Sequence, residues 1–76
     1  MQKTNITITT EYIKLDQLLK FSALAESGAV AKDMILDGIV SVNGEICQMR
    51  GKKIRSGDKV TVELEDETAE IEVGAE

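Results

Sequence analysis

The chain contains no histidine, no proline, no tryptophan and a single cysteine, Cys47. Without histidine there is no His-based catalytic triad and no His-ligated metal. One cysteine excludes an internal disulfide and any multi-cysteine zinc site. Aromatic residues are scarce, with Tyr12 and Phe21 alone, so stacking of splayed single-stranded bases is poorly provided for. No apolar run approaches the roughly 18 residues of a membrane span. The start, MQKTNITITT, lacks the apolar core of a signal peptide, and a cytoplasmic protein is expected. Asn5-Ile6-Thr7 matches a glycosylation acceptor, a chance match in a protein that is not secreted.

What is present fits one small domain covering residues 1–76. A chain of this size buries only about 60% of the surface that its unfolded form exposes, so the core is thin. Apolar residues make up 42% and charged residues 30%, a globular rather than disordered balance.

The charge is unevenly spread. The net charge of −5 argues by itself against nucleic acid. Residues 60–76, however, carry seven acidic residues and no basic one, while residues 12–59 carry eight basic and six acidic. Within RGKKIRSGDK (50–59), Arg50, Lys52, Lys53, Arg55 and Lys59 stand against Asp58 alone. The average charge therefore decides nothing about the partner; local geometry must.

Ile6 and Ile8 alternate with polar residues, which predicts a short strand over 4–9. Leu15, Leu18, Leu19 and Ser22 lie at i, i+3, i+4 and i+7, predicting an amphipathic helix over 15–24 with Asp16 in its favourable first turn. Ser27 is placed to cap a second helix, in which Ala31, Met34 and Ile35 form the apolar stripe and Lys32 and Asp33 face out. Gly38 suits the residue that ends it. Asn43-Gly44 between Val42 and Ile46 is a strong hairpin signal. Val60, Val62 and Leu64 mark a half-buried strand, and Ile71 and Val73 return as a last one. The acidic residues of that ribbon are expected on the solvent face, where charge protects a sheet edge. The order gives an α+β fold with two helices packed on one face of a small, mainly antiparallel sheet.

Enzyme constellations are lacking. Cys47 and the serines have no histidine base, and Cys47, beside Ile46 in an apparent strand, reads as a buried structural thiol. Arg50-Gly51-Lys52-Lys53 lacks the spacing of a nucleotide phosphate loop. The carboxylates alternate as on a solvated strand face rather than as a catalytic pair. Nucleic acid fits better. Gly51 and Gly57 bracket a loop rich in Arg and Lys, side chains that bond phosphate with charge assistance. Lys32 lies near the start of the second helix, where the helix dipole also favours phosphate. Phe21, beside the apolar stripe, is expected to pack in the core; Tyr12 is open to either role.

KLDQLLK (14–20), SGAVAKDMILDGIVSVNGE (27–45) and RGKKIRSGDKV (50–60) together resemble the RNA-binding domain of ribosomal protein S-four, the alpha-L motif. The matching residues are Lys14-Leu15-Asp16, Ala31-Lys32, Ile35, Gly38, Val40, Val42, Asn43-Gly44 and Gly57-Asp58. They cover about 12–65, and the chain looks closest to the small stand-alone bacterial members, the YaaA/YbcJ-like group. The resemblance implies the alpha-L fold, no cofactor, no catalysis, and structured RNA as partner. Ribosomal RNA or an assembling ribosomal particle is the expected target, with contacts to ribosomal proteins possible and the protein a monomer. It carries an RNA-binding role to Ser27, Gly28, Lys32, Asn43, Arg50, Lys52, Lys53 and Arg55. Family members often have Ser-Arg where this chain has Ser27-Gly28, and a basic residue where it has Met49.

Hairpin geometry alone also explains Asn43. Two other functions stay open: a protein-interaction module docking through the acidic ribbon, and a ubiquitin-like sulfur carrier. The latter shares Val-Asn-Gly-Glu and a Gly-Asp strand, but uses a C-terminal Gly-Gly where this chain reads Val73-Gly74-Ala75-Glu76.

Overall fold

Where the leucines recur at helical spacing, a helix forms. In a computed structural model describing residues 2–75, α1 spans Leu15–Phe21, with Leu15, Leu18 and Leu19 fully buried. The expected extension to residue 24 does not occur. Ser22 caps the end, its hydroxyl bonded to the Leu19 carbonyl at 2.9 Å, and Ala23 turns to a φ of 65°. That left-handed residue sends the chain toward α2 (Gly28–Leu36). The Ser27 side chain caps α2 by accepting a bond from Val30 N, and Gly38 at φ 80° ends it.

The strands are β1 (Gln2–Ile8), β2 (Ile13–Lys14), β3 (Val40–Val42), β4 (Glu45–Ile46), β5 (Lys53–Ile54), β6 (Lys59–Glu63) and β7 (Thr68–Ala75). Five form one sheet in the order β1-β7-β6-β3-β4. Its pairings are antiparallel except β1 with β7, which run parallel with Ile6 opposite Val73. A second, two-stranded ribbon pairs β2 with β5. The fold is thus α+β with two helices and a mainly antiparallel sheet.

Period-2 alternation decides which face is buried. Val40, Val42, Val60, Val62, Ile71 and Val73 point into one cluster with Leu15, Leu18, Leu19, Ala31 and Ile35. Ile13 and Ile54 of the small ribbon close it. Truncating one fully buried leucine here, Leu18→Ala, costs about 2–5 kcal/mol, a large share of the stability of a domain with so thin a core.

Three expectations need correction. Phe21 is 67% exposed rather than in the core. At about 100° per residue it falls well off the centre of the Leu15–Leu18–Leu19 stripe, a position that Ser22 occupies instead. Cys47 is half-buried and just past the end of β4, its thiol 3.7 Å from the Met49 carbonyl. The acidic ribbon is not a sheet edge, because β7 lies between β1 and β6. Nor are all its acids solvated: Glu70 is buried, with Lys59 Nζ at 3.2 Å and Lys3 Nζ at 3.9 Å from its Oε1. Both contacts are ion pairs by distance; neither gives Oε1 a well-directed hydrogen bond.

Candidate functional site

The hairpin, the basic loop and the start of α1 are tied together by backbone. Asn43 at φ 51° and Gly44 at φ 89° make the two-residue turn between β3 and β4. Both central residues have the positive φ of a type I′ turn, which Asn tolerates and Gly adopts freely. The turn is then fixed to the first residue of β6 and to Asp58 just before it. Asn43 N donates to the Lys59 carbonyl at 2.8 Å, and Lys59 N donates to Asn43 Oδ1 at 2.9 Å. Asn43 Nδ2 donates to Asp58 Oδ1 at 3.1 Å, while Arg55 N donates to Asp58 Oδ2 at 2.8 Å. Asn43 is therefore a brace between the hairpin tip and the basic loop, and both ends of its amide are occupied.

Asp58 is the carboxylate within the basic segment, and its charge is held by these bonds. The Arg55 N–H chiefly keeps its carboxyl below the usual carboxylate range; partial burial opposes this, while the Asn43 amide and the charges of Lys52 and Arg55 add to it.

The other end of the loop caps α1. Lys14 precedes the helix without a capping side chain. The orphan amides are met by loop carbonyls instead: Leu15 N donates to Lys52 O at 2.9 Å and Asp16 N to Arg50 O at 3.1 Å. The β2–β5 pairing adds Lys14 opposite Lys53. Arg50, Lys52, Lys53 and Arg55 are all exposed on this anchored backbone.

A groove of about 460 Å³ runs under the hairpin, lined by Asn43, Ile46, Met49, Lys52 and Asp58 among others. Ile46 and Met49 are each 68% exposed there. Ser27, Gly28 and Lys32 stand apart from this groove on α2, Lys32 exposed and Ser27 engaged in its cap. Added atoms at Gly28 would meet nothing within 4 Å.

Ion pairing separates the basic residues into two groups. Among the described residues, the cations within 4 Å of a carboxylate are Lys3 and Lys59, both engaged with the acidic ribbon. Arg50, Lys52, Lys53 and Arg55 have no such pair among the described residues. Those residues also contain no group of three or more His, Cys, Asp or Glu fit to hold a metal, and no helix long and apolar enough to cross a membrane.

Two features were missed in the sequence. Lys53 Nζ lies 4.9 Å from the Tyr12 ring centroid, a contact between residues 41 positions apart that no local pattern signals. The exposure of Phe21 was available from its helical angle.

The molecule is thus a small α+β domain whose basic loop, without an ion pair among the described residues, stands beside a braced hairpin. The S4 domain family model matches residues 6–72. The chain is also 41% identical over 58 residues to the "Probable ribosome maturation protein RlbA" of Bacillus subtilis (strain 168), covering 76% of this chain and 82% of that protein. The chain belongs to the S4 domain family of RNA-binding domains.

Proposed function

We propose that this chain is a non-catalytic protein that grips structured RNA, either ribosomal RNA or an assembling ribosomal particle. Arg50, Lys52, Lys53 and Arg55 neutralise phosphates, and Lys32 extends the contact along α2. Ser27 and Gly28 let RNA approach the start of that helix, and Asn43 orients the hairpin tip. The ribosomal target is supported by the 41% identity to the ribosome maturation protein. The observation that carries the mechanism is the absence, among the described residues, of any carboxylate within ion-pair reach of the four loop cations. Such a cluster repels itself, and an anionic backbone relieves the repulsion while releasing counterions. Recognition would rest on RNA shape, since few free side chains can read base edges. The acidic ribbon is less suited to dock a protein by strand addition: β7 is paired on both sides and two lysines already meet its acids.

Fluorescence anisotropy with ribosomal RNA and an unrelated structured RNA, across salt concentrations, tests the reading. About four phosphate contacts give a log–log salt slope of roughly −3 to −4. Binding that disappears when Arg50, Lys52 and Lys53 are all changed to Glu supports the basic loop. Absence of binding by the wild type at low salt overturns the RNA reading.

A further inference from the structure

Neither aromatic side chain is in the core, and both stand on one shallow groove away from the hairpin. This groove, of about 490 Å³, is lined by Glu11, Tyr12, Lys14, Gln17 and Phe21 among others. Phe21 holds most of its ring in water, which wastes about 25 cal/mol for every Å² of apolar surface that a partner could cover. Tyr12 is half-buried and carries the Lys53 ammonium near its ring, a cation–π contact that holds both side chains in place. Across the β2–β5 ribbon, Lys53 faces Lys14. Like charges directly opposite are destabilising, and neither lysine has a carboxylate within ion-pair distance among the described residues.

The groove therefore joins an exposed apolar surface to Lys14 in its lining and to Lys53, which lies against the Tyr12 ring and opposite Lys14. An occupant that satisfies both has a planar ring and an anion a few ångströms from it. We propose that the Tyr12–Phe21 groove receives one unpaired nucleotide of the bound RNA. Its base stacks on Phe21 with Tyr12 as the second wall, and its phosphate lies on Lys14 and Lys53. Gln17 offers an amide to the base edge. Base–aromatic stacking tolerates any base, so the groove selects an unpaired position rather than a sequence. The proposal rests on the RNA-binding reading and adds a preference for bulged or looped RNA, which phosphate contacts alone do not supply.

The test uses two dye-labelled hairpins, one with a single bulged 2-aminopurine and one with an abasic site at the same position. The full-length wild type and Phe21→Leu are compared by anisotropy and by 2-aminopurine emission. Leucine keeps an apolar side chain at this exposed position but has no ring to stack, and an unchanged melting curve checks the fold. The expected result is that Phe21→Leu binds the bulged hairpin about five- to a hundred-fold more weakly. Its affinity for the abasic hairpin stays the same, and quenching of 2-aminopurine is lost. Equal wild-type affinity for the two hairpins, with no effect of Phe21→Leu, overturns this proposal and leaves the RNA reading standing. Failure of the wild type to bind either hairpin at low salt overturns the RNA reading, and the groove's nucleotide with it.

Discussion

The basic loop and the outer face of the sheet handle charge in opposite ways. On the sheet, Glu70 is buried between Lys3 and Lys59, with Glu72 within 4.0 Å of Lys59 as well. Charges there are matched within the chain. In the loop, Arg50, Lys52, Lys53 and Arg55 project from a backbone that is bonded at both ends, and Asp58 turns its oxygens to Arg55 N and the Asn43 amide. Acid and base occupy different surfaces, so a net charge of −5 coexists with a locally cationic site. The field that a phosphate meets is set by the nearby unpaired charges, because the remainder is screened within about 10 Å at ordinary ionic strength.

Reversing the loop's charge breaks this contrast with the largest effect. Changing Arg50, Lys52 and Lys53 together to Glu is expected to weaken RNA binding by more than about a hundred-fold, since three favourable phosphate contacts become three repulsions. Anisotropy at fixed salt measures this, and the melting temperature should fall only modestly, because the loop's bonds to α1 come from backbone carbonyls and the Lys53–Tyr12 contact is worth only about 0.5–1 kcal/mol.

The next effect is on the brace. Asp58→Ala removes acceptors from Arg55 N and Asn43 Nδ2 and is expected to cost about 1–2 kcal/mol in urea unfolding. Asn43→Ala should cost a similar amount, and the double variant less than the sum, because both changes break one network. The same carboxylate predicts a pH dependence. Its folded pKa is depressed, so the unfolded chain binds the proton more readily. Its stabilisation is complete above the unfolded value near 4 and is lost as pH falls through the lower folded value. Asp58→Asn should flatten that part of the acid limb. An unchanged limb would show that Asp58 is not held as described.

Much of this was legible in the sequence, for local reasons. Ser27 and Gly38 bound α2 because a cap and a helix-ending glycine act within a few residues, and Asn43-Gly44 specifies its turn alone. What could not be read is non-local or very short. The parallel pairing of β1 with β7 joins the two ends of the chain, and β2 and β5 have two residues each. Glu70 follows the alternation of its strand, so it looked solvated; its burial results from β7 being an interior strand. For the site, the run of Arg and Lys was plain. The division of labour was not, since Asn43 and Lys59 resemble their neighbours in sequence but serve to brace the hairpin and to neutralise the sheet.

That division predicts a milder effect on the sheet. Lys59→Met leaves Glu70 with only the more distant Lys3 and should destabilise the fold by about 1 kcal/mol, while Glu70→Gln removes the buried charge and should be close to neutral. Neither should shift RNA affinity as the loop variants do. A loss with Lys59→Met as large as that from the triple variant would erase the contrast between the two regions.

The smallest effect sharpens the contrast by gain. Gly28 opens α2 with nothing within 4 Å of an added Cβ, and its φ lies outside the range that demands glycine. Gly28→Arg places a cation at the helix start, where related domains often carry one. Two opposing effects on stability are expected there. Replacing glycine in a helix gains up to about 1 kcal/mol, and a positive charge at the positive end of the dipole costs about 0.3–1 kcal/mol, so the melting temperature should change little. RNA affinity at low salt should rise several-fold, with the log–log salt slope steeper by roughly one contact. A steeper slope would mean that the start of α2 faces the same RNA as the loop. An unchanged slope would place the start of α2 outside the RNA contact, and would remove Ser27, Gly28 and Lys32 from the interface.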